Sequence, residues 1–232
     1  MNKLVEDKKN SWKIFDKISA RYDLINRVLS FGNDMRWRKK LISHLPLKSD
    51  ISILDVATGS GDQIIAFLKS YKVKKLIGID LSNEMLLVAK EKLKKAESVD
   101  FKMASAEDIP YSNESFDVVS CSFGIRNVSD VEKSISEMHR VLKVDGKLMI
   151  LEFGIPKNPL IKLFHLTYLR RVLPVVGGLL SRNFAAYSYL NKTIESFPFG
   201  EEFCDIMRKF PFKSVKAYPL NFGSVMLYIG EK

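Results

Sequence analysis

The feature that most constrains this chain is a regular alternation of short apolar segments with amphipathic helical segments. The apolar segments are predicted as strands at residues 51–56, 76–80, 99–103, 116–121 and 147–153. Helical periodicity fills the intervals at residues 64–71, 83–93 and 131–142. Strands that alternate with helices pair in parallel through right-handed crossovers, and continuous apolar runs are typical of strands buried on both faces. We therefore expect an α/β fold built on a largely parallel sheet.

A helical region precedes this alternation. In residues 1–48, apolar side chains recur at helical spacing, with a predicted break at residues 32–34. A helix is predicted over residues 35–45, ending before Pro46. We interpret residues 1–48 as an N-terminal helical cap on a sheet domain of residues 49–232, and the whole chain is best treated as one domain.

After the fifth strand the alternation stops. Residues 155–200 are rich in Leu, Phe, Tyr and Val, and are interrupted at Pro156, Pro159, Pro174 and Gly177-Gly178. We predict an apolar insertion of short helices that covers a pocket. The elements predicted after it are a helix at residues 201–209 and strands at residues 214–219 and 224–229.

The chain is strongly basic, with a formal net charge of +10 and a pI near 9.4. This charge indicates attraction to nucleic acid, an anionic membrane surface or an acidic ligand. A Lys-rich composition without functional meaning is the alternative. Because the lysines are dispersed and no aromatic-basic RNA-binding motif is present, nucleic acid is not an expected partner.

Cysteine usage and hydropathy indicate the compartment. Cys121 and Cys204 are far apart, which supports neither a disulfide framework nor a zinc site and fits a reducing cytosol. The apolar stretch at residues 172–180 is far shorter than the ~20 residues of a membrane-spanning helix. We expect a cytoplasmic protein, with peripheral contact at the inner face of the cell membrane as the alternative to a fully soluble one.

A glycine-containing loop directly follows the first strand and opens a helix. It contains Asp55, Gly59, Ser60 and Gly61, which are the first candidates for binding a ligand. Glycines allow a sharp turn and close approach of the backbone, and ligands of open α/β sheets bind beyond the carboxyl ends of the strands. Asp80 ends the second strand, where an acid can accept hydrogen bonds from the two hydroxyls of a ribose.

The loop lacks the features of two common nucleotide sites. Ile64 stands three positions after Gly61, so the third glycine of a dinucleotide fingerprint is missing, and no Lys of a phosphate-binding loop follows. Asp55 and Asp62 flank the glycines, where they would repel a pyrophosphate and suit a cation. S-adenosylmethionine is such a ligand, because it carries a sulfonium and an ammonium but no phosphate. A tight turn in a Rossmann-like domain that binds something else is the alternative.

Small residues after the next two strands fit the same ligand. Ser105 and Ala106 could contact an adenine, and Ser122 could lie near a methionine portion. Taken singly, the two serines are equally compatible with ordinary turns.

Several motifs, in order, resemble those of the quinone-biosynthesis C-methyltransferase family, which methylates a ring carbon of demethylmenaquinol or of 2-polyprenyl-6-methoxy-benzoquinol. They are Asp55-x-Ala57-x-Gly59-x-Gly61, residues 22–32 with Arg36-Trp37-Arg38, and residues 122–130, 140–143, 151–153, 187–190 and 194–198. The resemblance covers nearly the whole chain. It implies a Rossmann-like seven-stranded methyltransferase sheet with N-terminal helices and a helical insertion before the last strands.

The resemblance also implies roles for individual residues. Those implied to bind S-adenosylmethionine are Ser60, Asp80, Ser105, Ala106 and Ser122, and those implied to face the reacting ring are Arg126 and Asn127. Arg126 is a candidate for stabilising a developing phenolate, and any base would be a water or an acid that Arg126 and Asn127 position. A surface salt bridge is the alternative role for Arg126. No metal-ligand cluster is visible.

The sequence differs from the family pattern at two places, and two further residues are candidates for this site. Asn33-Asp34-Met35 stands where many members carry a His before the Arg; if that His handles a proton, this protein must do so otherwise. Residues 144–146 replace a usual Pro-Gly-Gly, which we expect to alter only a turn. Tyr22 could close over the substrate or simply pack the helices, and His165 lies in the predicted insertion.

The expected function is C-methylation of a demethylated isoprenoid hydroquinone, with demethylmenaquinol ahead of the ubiquinone precursor 2-polyprenyl-6-methoxy-1,4-benzoquinol. Methylation of another small aromatic or lipid acceptor and an RNA methyltransferase are the alternatives. Residues 155–182 mix apolar and basic side chains, which predicts peripheral membrane contact, with plain core packing as the alternative. A homodimer is compatible with the sequence, which does not determine the oligomeric state.

Overall fold

A computed structural model describes residues 8, 10–181 and 183–232 of the chain. Its strands are β1 Ile51–Val56, β2 Val73–Asp80, β3 Val99–Met103, β4 Phe116–Ser122, β5 Leu142–Phe153, β6 Ser214–Leu220 and β7 Val225–Glu231. They form one sheet in the order β3-β2-β1-β4-β5-β7-β6, in which β7 is antiparallel to both neighbours and the other pairs are parallel. The predicted Rossmann-like seven-stranded fold is confirmed.

Helices surround this sheet. They are α1 Trp12–Ile18, α2 Tyr22–Leu29, α3 Asn33–Ile42, α4 Asp62–Ser70, α5 Asn83–Lys92, α6 Val131–Val141, α7 Pro159–Thr167, α8 Leu173–Ser181, α9 Phe184–Ser196 and α10 Glu201–Met207. Side-chain caps set several of the starts. Ser82 Oγ accepts a hydrogen bond from the Met85 N–H at 3.1 Å at the start of α5, as its position before this helix predicts.

Apolar clusters bury both faces of the sheet. On one face, Leu41 of α3 and Phe67 of α4 pack with residues of β1, β4 and β5. On the other face, Met138 of α6 and Phe203 of α10 complete the cluster. Because β1 and β4 are almost entirely buried, they need apolar side chains on both faces, which explains their continuous apolar runs.

The first two helices and the insertion pack against each other. Ile18 of α1 and Ile25 of α2 share one apolar cluster with Leu169, Leu173 and Tyr187. Helix α3 packs on the sheet instead. We call α1 and α2, together with α7, α8 and α9, the cap.

The prediction that Pro174 and Gly177-Gly178 interrupt the insertion is wrong. Pro159–Ser181 is one continuous helix of 23 residues, in which a π turn at Tyr168–Val172 joins α7 to α8. This widened turn lies just before Pro174 and accommodates a residue that cannot donate a backbone hydrogen bond.

Gly177 and Gly178 serve helix packing instead of ending the helix. A Cβ on Gly177 would lie 2.4 Å from the Tyr187 ring, and one on Gly178 would lie 2.2 Å from the Phe184 ring. The glycines therefore allow the aromatic side chains of α9 to lie directly on the backbone of α8.

The helix Pro159–Ser181 has the length and composition of a membrane span. Its most apolar window has a mean hydropathy of 1.2, and only 22% of that window is buried. One such helix is weak evidence for a span, and the expectation of a non-integral protein stays a prediction. The exposure does show that much of this helix is not covered by the described part of the chain.

Two local predictions differ from the structure. Helix α3 begins at Asn33, directly after two left-handed residues, Phe31 with a φ of 52° and Gly32 with a φ of 73°, so the break begins one residue before the predicted positions. β5 begins at Leu142, but its regular pairing with β4 resumes only at Lys147. Residues 144–146 lie in that irregular part, where Asp145 has a φ of 61°. The difference from the family pattern at residues 144–146 therefore lies in the irregular first part of β5 and not in a separate turn.

Candidate active site

Two adjoining cavities lie at the carboxyl ends of the strands. The sheet-end cavity, of about 150 Å³, is bounded by α1 and the segments that follow β1, β2, β3 and β4. The cap cavity, of about 230 Å³, lies between α1, α2, α3 and the insertion helices. Phe15, Tyr22 and Phe123 line both cavities, so ligands in the two can meet.

Most of the candidate binding residues lie together in the sheet-end cavity. Those that line it are Gly59, Asp80, Ser105, Ala106, Ser122 and Asn127. Asp80 accepts hydrogen bonds from the backbone N–H groups of Gly59 and Ser82, each at 2.8 Å. Burial raises the pKa of Asp80, and these two backbone hydrogen bonds oppose the rise. The carboxylate therefore holds the loop in place and also faces the cavity.

The loop after β1 contains three left-handed residues. Ala57, Gly59 and Gly61 have φ values of 53°, 55° and 81°. A left-handed φ strains an alanine, so a glycine would also suit the position of Ala57. The methyl group of Ala57 is accommodated because its neighbour is Gly124, where a Cβ would lie 2.4 Å from it.

Asp55 lies beneath the loop and does not line either cavity. Its carboxylate accepts hydrogen bonds from Thr58 Oγ1 at 2.7 Å and Ser120 Oγ at 2.6 Å. Burial raises its pKa to about 6, against the effect of these two hydroxyls. The carboxylate thus ties the loop to β4, and its role in binding a ligand stays a prediction.

Ser60, Gly61 and Asp62 also lie outside the lining of the sheet-end cavity. The Ser60 hydroxyl donates to Asp23 of α2, which fastens the N-terminal helices to the loop. Asp62 pairs with Lys92 at 2.7 Å and with Arg27 at 3.3 Å, so its charge is neutralised within the protein. Among the residues that the structure describes, the acidic groups that line this cavity are Asp80 and Glu107, and the basic one is Lys8.

Arg126 and Asn127 face different cavities. Arg126 lines the cap cavity, whereas Asn127 lines the sheet-end cavity. Arg126 Nη1 donates to Glu152 Oε1 at 2.8 Å, and the two side chains are only 4% and 0% exposed. Arg126 therefore does form a salt bridge, but a buried one, and its Nε–H has no partner among the described residues.

The cap cavity contains polar residues that sequence reasoning missed. Arg38 of α3 lines it and is 8% exposed, and its Nη1 contacts Gln63 Oε1 at 3.5 Å. Gln63 also accepts a hydrogen bond from Ser122 Oγ at 3.0 Å. One signal was available, because Asp34 and Arg38 are four positions apart on a helix and so share one face.

The departure at Asn33-Asp34-Met35 also lies at this cavity. Asp34 lines it, accepts a hydrogen bond from Ser30 Oγ at 2.9 Å and pairs with Arg27. His165 lines the same cavity, and its Nε2 is buried without a partner among the described residues. Burial lowers the pKa of His165, while a hydrogen bond with the Gly154 backbone opposes this, so the imidazole is neutral at neutral pH.

The sheet-end cavity fits S-adenosylmethionine. Its acidic groups suit a ligand that carries a sulfonium and an ammonium. Asn127 Oδ1 is buried without a partner among the described residues, and so offers a further acceptor to a cationic ligand. Gly59 lines the cavity with a left-handed φ and nothing within 4 Å of where a Cβ would stand, so the backbone is open to close approach there.

Comparisons with known proteins agree with this geometry. The sequence profile of the ubiE/COQ5 methyltransferase family matches residues 1–232. The ubiquinone/menaquinone biosynthesis C-methyltransferase UbiE of Geotalea uraniireducens is 41% identical over 236 residues, covering 100% of both chains. The demethylmenaquinone methyltransferase of Thermus thermophilus is 38% identical, covering 94% of this chain and 100% of that one.

A solved structure supports the fold. A SAM-dependent methyltransferase from Thermotoga maritima superimposes with a TM-score of 0.68 at 20% identity, covering 95% of this chain and 99% of that chain. The family profile and the curated relatives show that the protein is an S-adenosylmethionine-dependent methyltransferase. With the whole chain matched by one profile, it belongs to the ubiE/COQ5 methyltransferase family.

Proposed function

We propose that this enzyme methylates a ring carbon of demethylmenaquinol in respiratory quinone biosynthesis. The observation that carries the proposal is the cap cavity, which is largely aromatic and apolar, holds two buried arginines and adjoins the cavity that fits S-adenosylmethionine. The names of the relatives from Geotalea uraniireducens and Thermus thermophilus support the same class of substrate.

Aromatic side chains in the cap cavity suit a flat ring. The rings of Phe123 and Phe153 are 4.7 Å apart, and those of Trp37 and Phe123 are 6.0 Å apart. Phe123 lines both cavities and has a φ of 61°, a strained conformation for a bulky residue of the kind found at functional sites. Its ring would hold the acceptor beside the methyl donor.

The reaction requires a negative charge on the ring to be stabilised and a proton to be removed. Bound S-adenosylmethionine supplies an electrophilic methyl group on a sulfonium. The transfer forms the bond from the ring carbon to the methyl carbon, breaks the methyl–sulfur bond and releases one proton per turnover. Alignment of the reacting atoms contributes up to about 7–11 kcal/mol for well-oriented reactants.

Three residues are proposed to act on these reacting groups. Arg126 would orient a ring hydroxyl through its free Nε–H, and Asn127 would contact the donor from the sheet-end side. His165, neutral and lining the cap cavity, is the candidate to accept the phenolic proton directly or through a water. It would take the place of the His that the sequence lacks near Asp34.

The test is turnover of the purified protein with S-adenosylmethionine and each quinol in turn. We expect demethylmenaquinol to gain one methyl group by mass, and cells lacking the protein to accumulate a quinone lighter by one methyl. An Arg126→Ala variant should keep its affinity for S-adenosylhomocysteine and lose turnover. Methylation of only 2-polyprenyl-6-methoxy-1,4-benzoquinol would establish the ubiquinone alternative, and turnover of neither quinol would overturn the proposal.

We also propose peripheral membrane contact through residues 155–182, where the polyprenyl tail would leave the cap cavity. Exposed apolar side chains on this surface include Leu163, Phe164 and Leu179. Phe31 lines the cap cavity and is 81% exposed, so the mouth of the cavity opens near apolar surface. Exposed basic residues such as Arg171 suit anionic headgroups.

Flotation with anionic vesicles tests this contact. We expect binding at low salt that a double Leu163→Ser, Phe164→Ser variant weakens, while Leu47→Ser, an exposed apolar position in the loop before β1, leaves it unchanged. Absence of wild-type flotation at low salt would end the idea. The homodimer stays a prediction that sedimentation of the same preparation addresses.

A further inference from the structure

Two buried arginines line the cap cavity, and their surroundings differ in charge. The guanidinium of Arg126 is paired with Glu152, which is completely buried. Arg38 has no acidic side chain within 4 Å among residues 8, 10–181 and 183–232. Asp34, one turn earlier on the same helix, and Asp62, at the start of α4, pair with other cations instead.

A guanidinium in this position is energetically unusual. Moving a charge away from water is costly unless it is paired, and Arg38 is 8% exposed. Its Nε–H is buried without a partner among the described residues, and its one hydrogen bond, to Gln63, is long at 3.5 Å. Its Cζ lies 5.6 Å from the centre of the Phe123 ring, which stabilises the cation only modestly.

We propose that Arg38 is the residue that stabilises the phenolate of the acceptor ring during methyl transfer. A negative charge that develops in the cap cavity meets a contact ion pair at Arg126, whereas Arg38 has no carboxylate in contact among the described residues and interacts with Asp55 and Asp62 only at longer range. The free Nε–H can donate a charge-assisted hydrogen bond to the ring oxygen. The inference rests on the proposed function, because it names the residue that acts on the hydroquinone.

The position of Arg38 is linked to the methyl-donor side. Gln63 accepts from Arg38 at 3.5 Å and from Ser122 at 3.0 Å, and Ser122 lines the sheet-end cavity. The Gln63 oxygen thus orients the guanidinium relative to the donor. Burial raises the pKa of Tyr22, and the charges of Arg126 and Arg38 act in the opposite direction, so both charges act on one of the residues that line both cavities.

In the balanced step, the phenolic proton passes first to His165, directly or through a water, and the negative charge is held at the ring oxygen beside Arg38. The ring carbon then forms its bond to the methyl carbon while the methyl–sulfur bond breaks, and the electron pair of that bond stays on sulfur. The proton on the attacked carbon is lost and the ring oxygen regains a proton, which restores the hydroquinone. The net change is one methyl gained by the ring and one proton released.

The experiment measures ionisation of a bound phenol, which does not require turnover. 1-Naphthol is titrated by absorbance in the presence of the enzyme and S-adenosylhomocysteine. We expect the wild type to lower the pKa of the bound phenol and Arg38→Met to lose that lowering, a change of about 1–3 units. Turnover of demethylmenaquinol by Arg38→Met should fall about 100-fold to 1,000-fold, with unchanged affinity for S-adenosylhomocysteine.

Three variants control this result. Arg36→Met removes an exposed arginine from the same helix and should leave the bound pKa unchanged. Arg38→Lys keeps the charge but loses the planar donor fork, so it should retain most of the pKa lowering with reduced turnover. If thermal unfolding shows that Arg38→Met is not folded, Arg38→Gln tests the same removal of charge with a polar side chain.

The outcomes separate this inference from the proposed function. If the wild type does not lower the pKa of 1-naphthol, or if Arg38→Met or Arg38→Gln lowers it as much as the wild type does, Arg38 has no such role. If the lowering depends on Arg38 but neither quinol is methylated, the phenolate site stands and the proposed substrate is wrong.

Discussion

The sheet-end cavity and the cap cavity are neighbours, but they are built from different kinds of structure. The first is formed by short loops at the ends of paired strands, and the Asp80 carboxylate in it is satisfied by backbone N–H groups. The second is formed by helices from distant parts of the chain, and Arg38, Arg126 and His165 each keep a buried nitrogen without a partner among the described residues.

This difference indicates a division of labour. In the sheet-end cavity the Asp80 carboxylate is already held by backbone N–H groups, so this cavity binds a ligand mainly through shape and its remaining acceptors, such as Asn127 Oδ1. A cavity with unpartnered buried nitrogens suits a substrate that brings hydrogen-bonding partners with it, because buried polar groups are otherwise hydrogen-bonded. The fold thus binds the methyl donor in one cavity and stabilises the charge of the methyl acceptor in the other.

The largest expected effect comes from removing the counter-ion on the cap side. Glu152→Ala leaves Arg126 buried and unpaired, and breaking a buried pair in this way lowers the free energy of unfolding by about 3–5 kcal/mol. Urea unfolding measures it. Glu201→Ala, which removes an exposed partner of Arg208, is the control and should change stability by less than about 1 kcal/mol. Equal losses of stability in both variants would show that the buried pair of Arg126 and Glu152 matters no more than an exposed pair.

On the sheet-end side, Asp55 should make stability depend on pH. Its pKa is about 6 in the folded protein, raised from 3.8, so between these values the folded chain keeps a proton that the unfolded chain has lost. The free energy of unfolding therefore falls as pH rises through this interval, by roughly 3 kcal/mol in total.

Urea unfolding at pH values below and above this interval measures the effect. Asp55→Asn cannot titrate, so its stability should lack this decline. Asp50→Asn, at an exposed position with a φ of 59° that Asn tolerates, should decline as the wild type does. If Asp55→Asn declines equally, the buried carboxylate is not the source.

A substitution at Asp80 should weaken binding in the sheet-end cavity and leave binding in the cap cavity unchanged. Asp80→Asn removes the charge from the acceptor that faces the sheet-end cavity, and hydrogen bonds to charged groups contribute about 1.5–3 kcal/mol. We expect the affinity for S-adenosylhomocysteine, measured by calorimetry, to fall about 10-fold to 150-fold. Binding of 1-naphthol in the cap cavity should be unaffected, and Asp100→Asn, exposed on β3, should alter neither ligand.

How much could be predicted from sequence differs between the same two cavities. The sheet-end cavity is local: each loop follows its strand directly, so Gly59, Asp80, Ser105 and Ser122 could be placed at one edge once the strands were assigned. Asp55 and Ser60 could not be separated from these residues, because whether a side chain faces a ligand or the underside of a loop depends on tertiary contacts.

The cap cavity depends on contacts between residues far apart in sequence. Arg38 meets Gln63, which also accepts a hydrogen bond from Ser122, only because α3 packs across the sheet face next to α4. The continuity of the helix Pro159–Ser181 could not be predicted, because Pro and Gly are local signals for ending a helix, whereas here a π turn and close helix packing outweigh them. The split of the chain at residue 48 stays a prediction.

The smallest expected effect tests whether helix packing in the cap affects only the substrate side. In Gly177→Ala the new Cβ would lie 2.4 Å from the Tyr187 ring, and such overpacking lowers stability by about 1–3 kcal/mol. Alanine is favoured over glycine within a helix by about 1 kcal/mol, so the sign of the change shows which effect is larger. We expect a net loss of up to about 2 kcal/mol in urea unfolding.

Because Tyr187 lines the cap cavity, the KM for the quinol should rise while the affinity for S-adenosylhomocysteine stays the same. Leu179→Ala, at an exposed position of the same helix, is the matched control and should change stability by no more than about 0.5 kcal/mol. Weaker S-adenosylhomocysteine binding in Gly177→Ala would show that the two cavities are mechanically coupled through Phe15, Tyr22 or Phe123. The methyl donor and the methyl acceptor would then not be bound by independent parts of the fold.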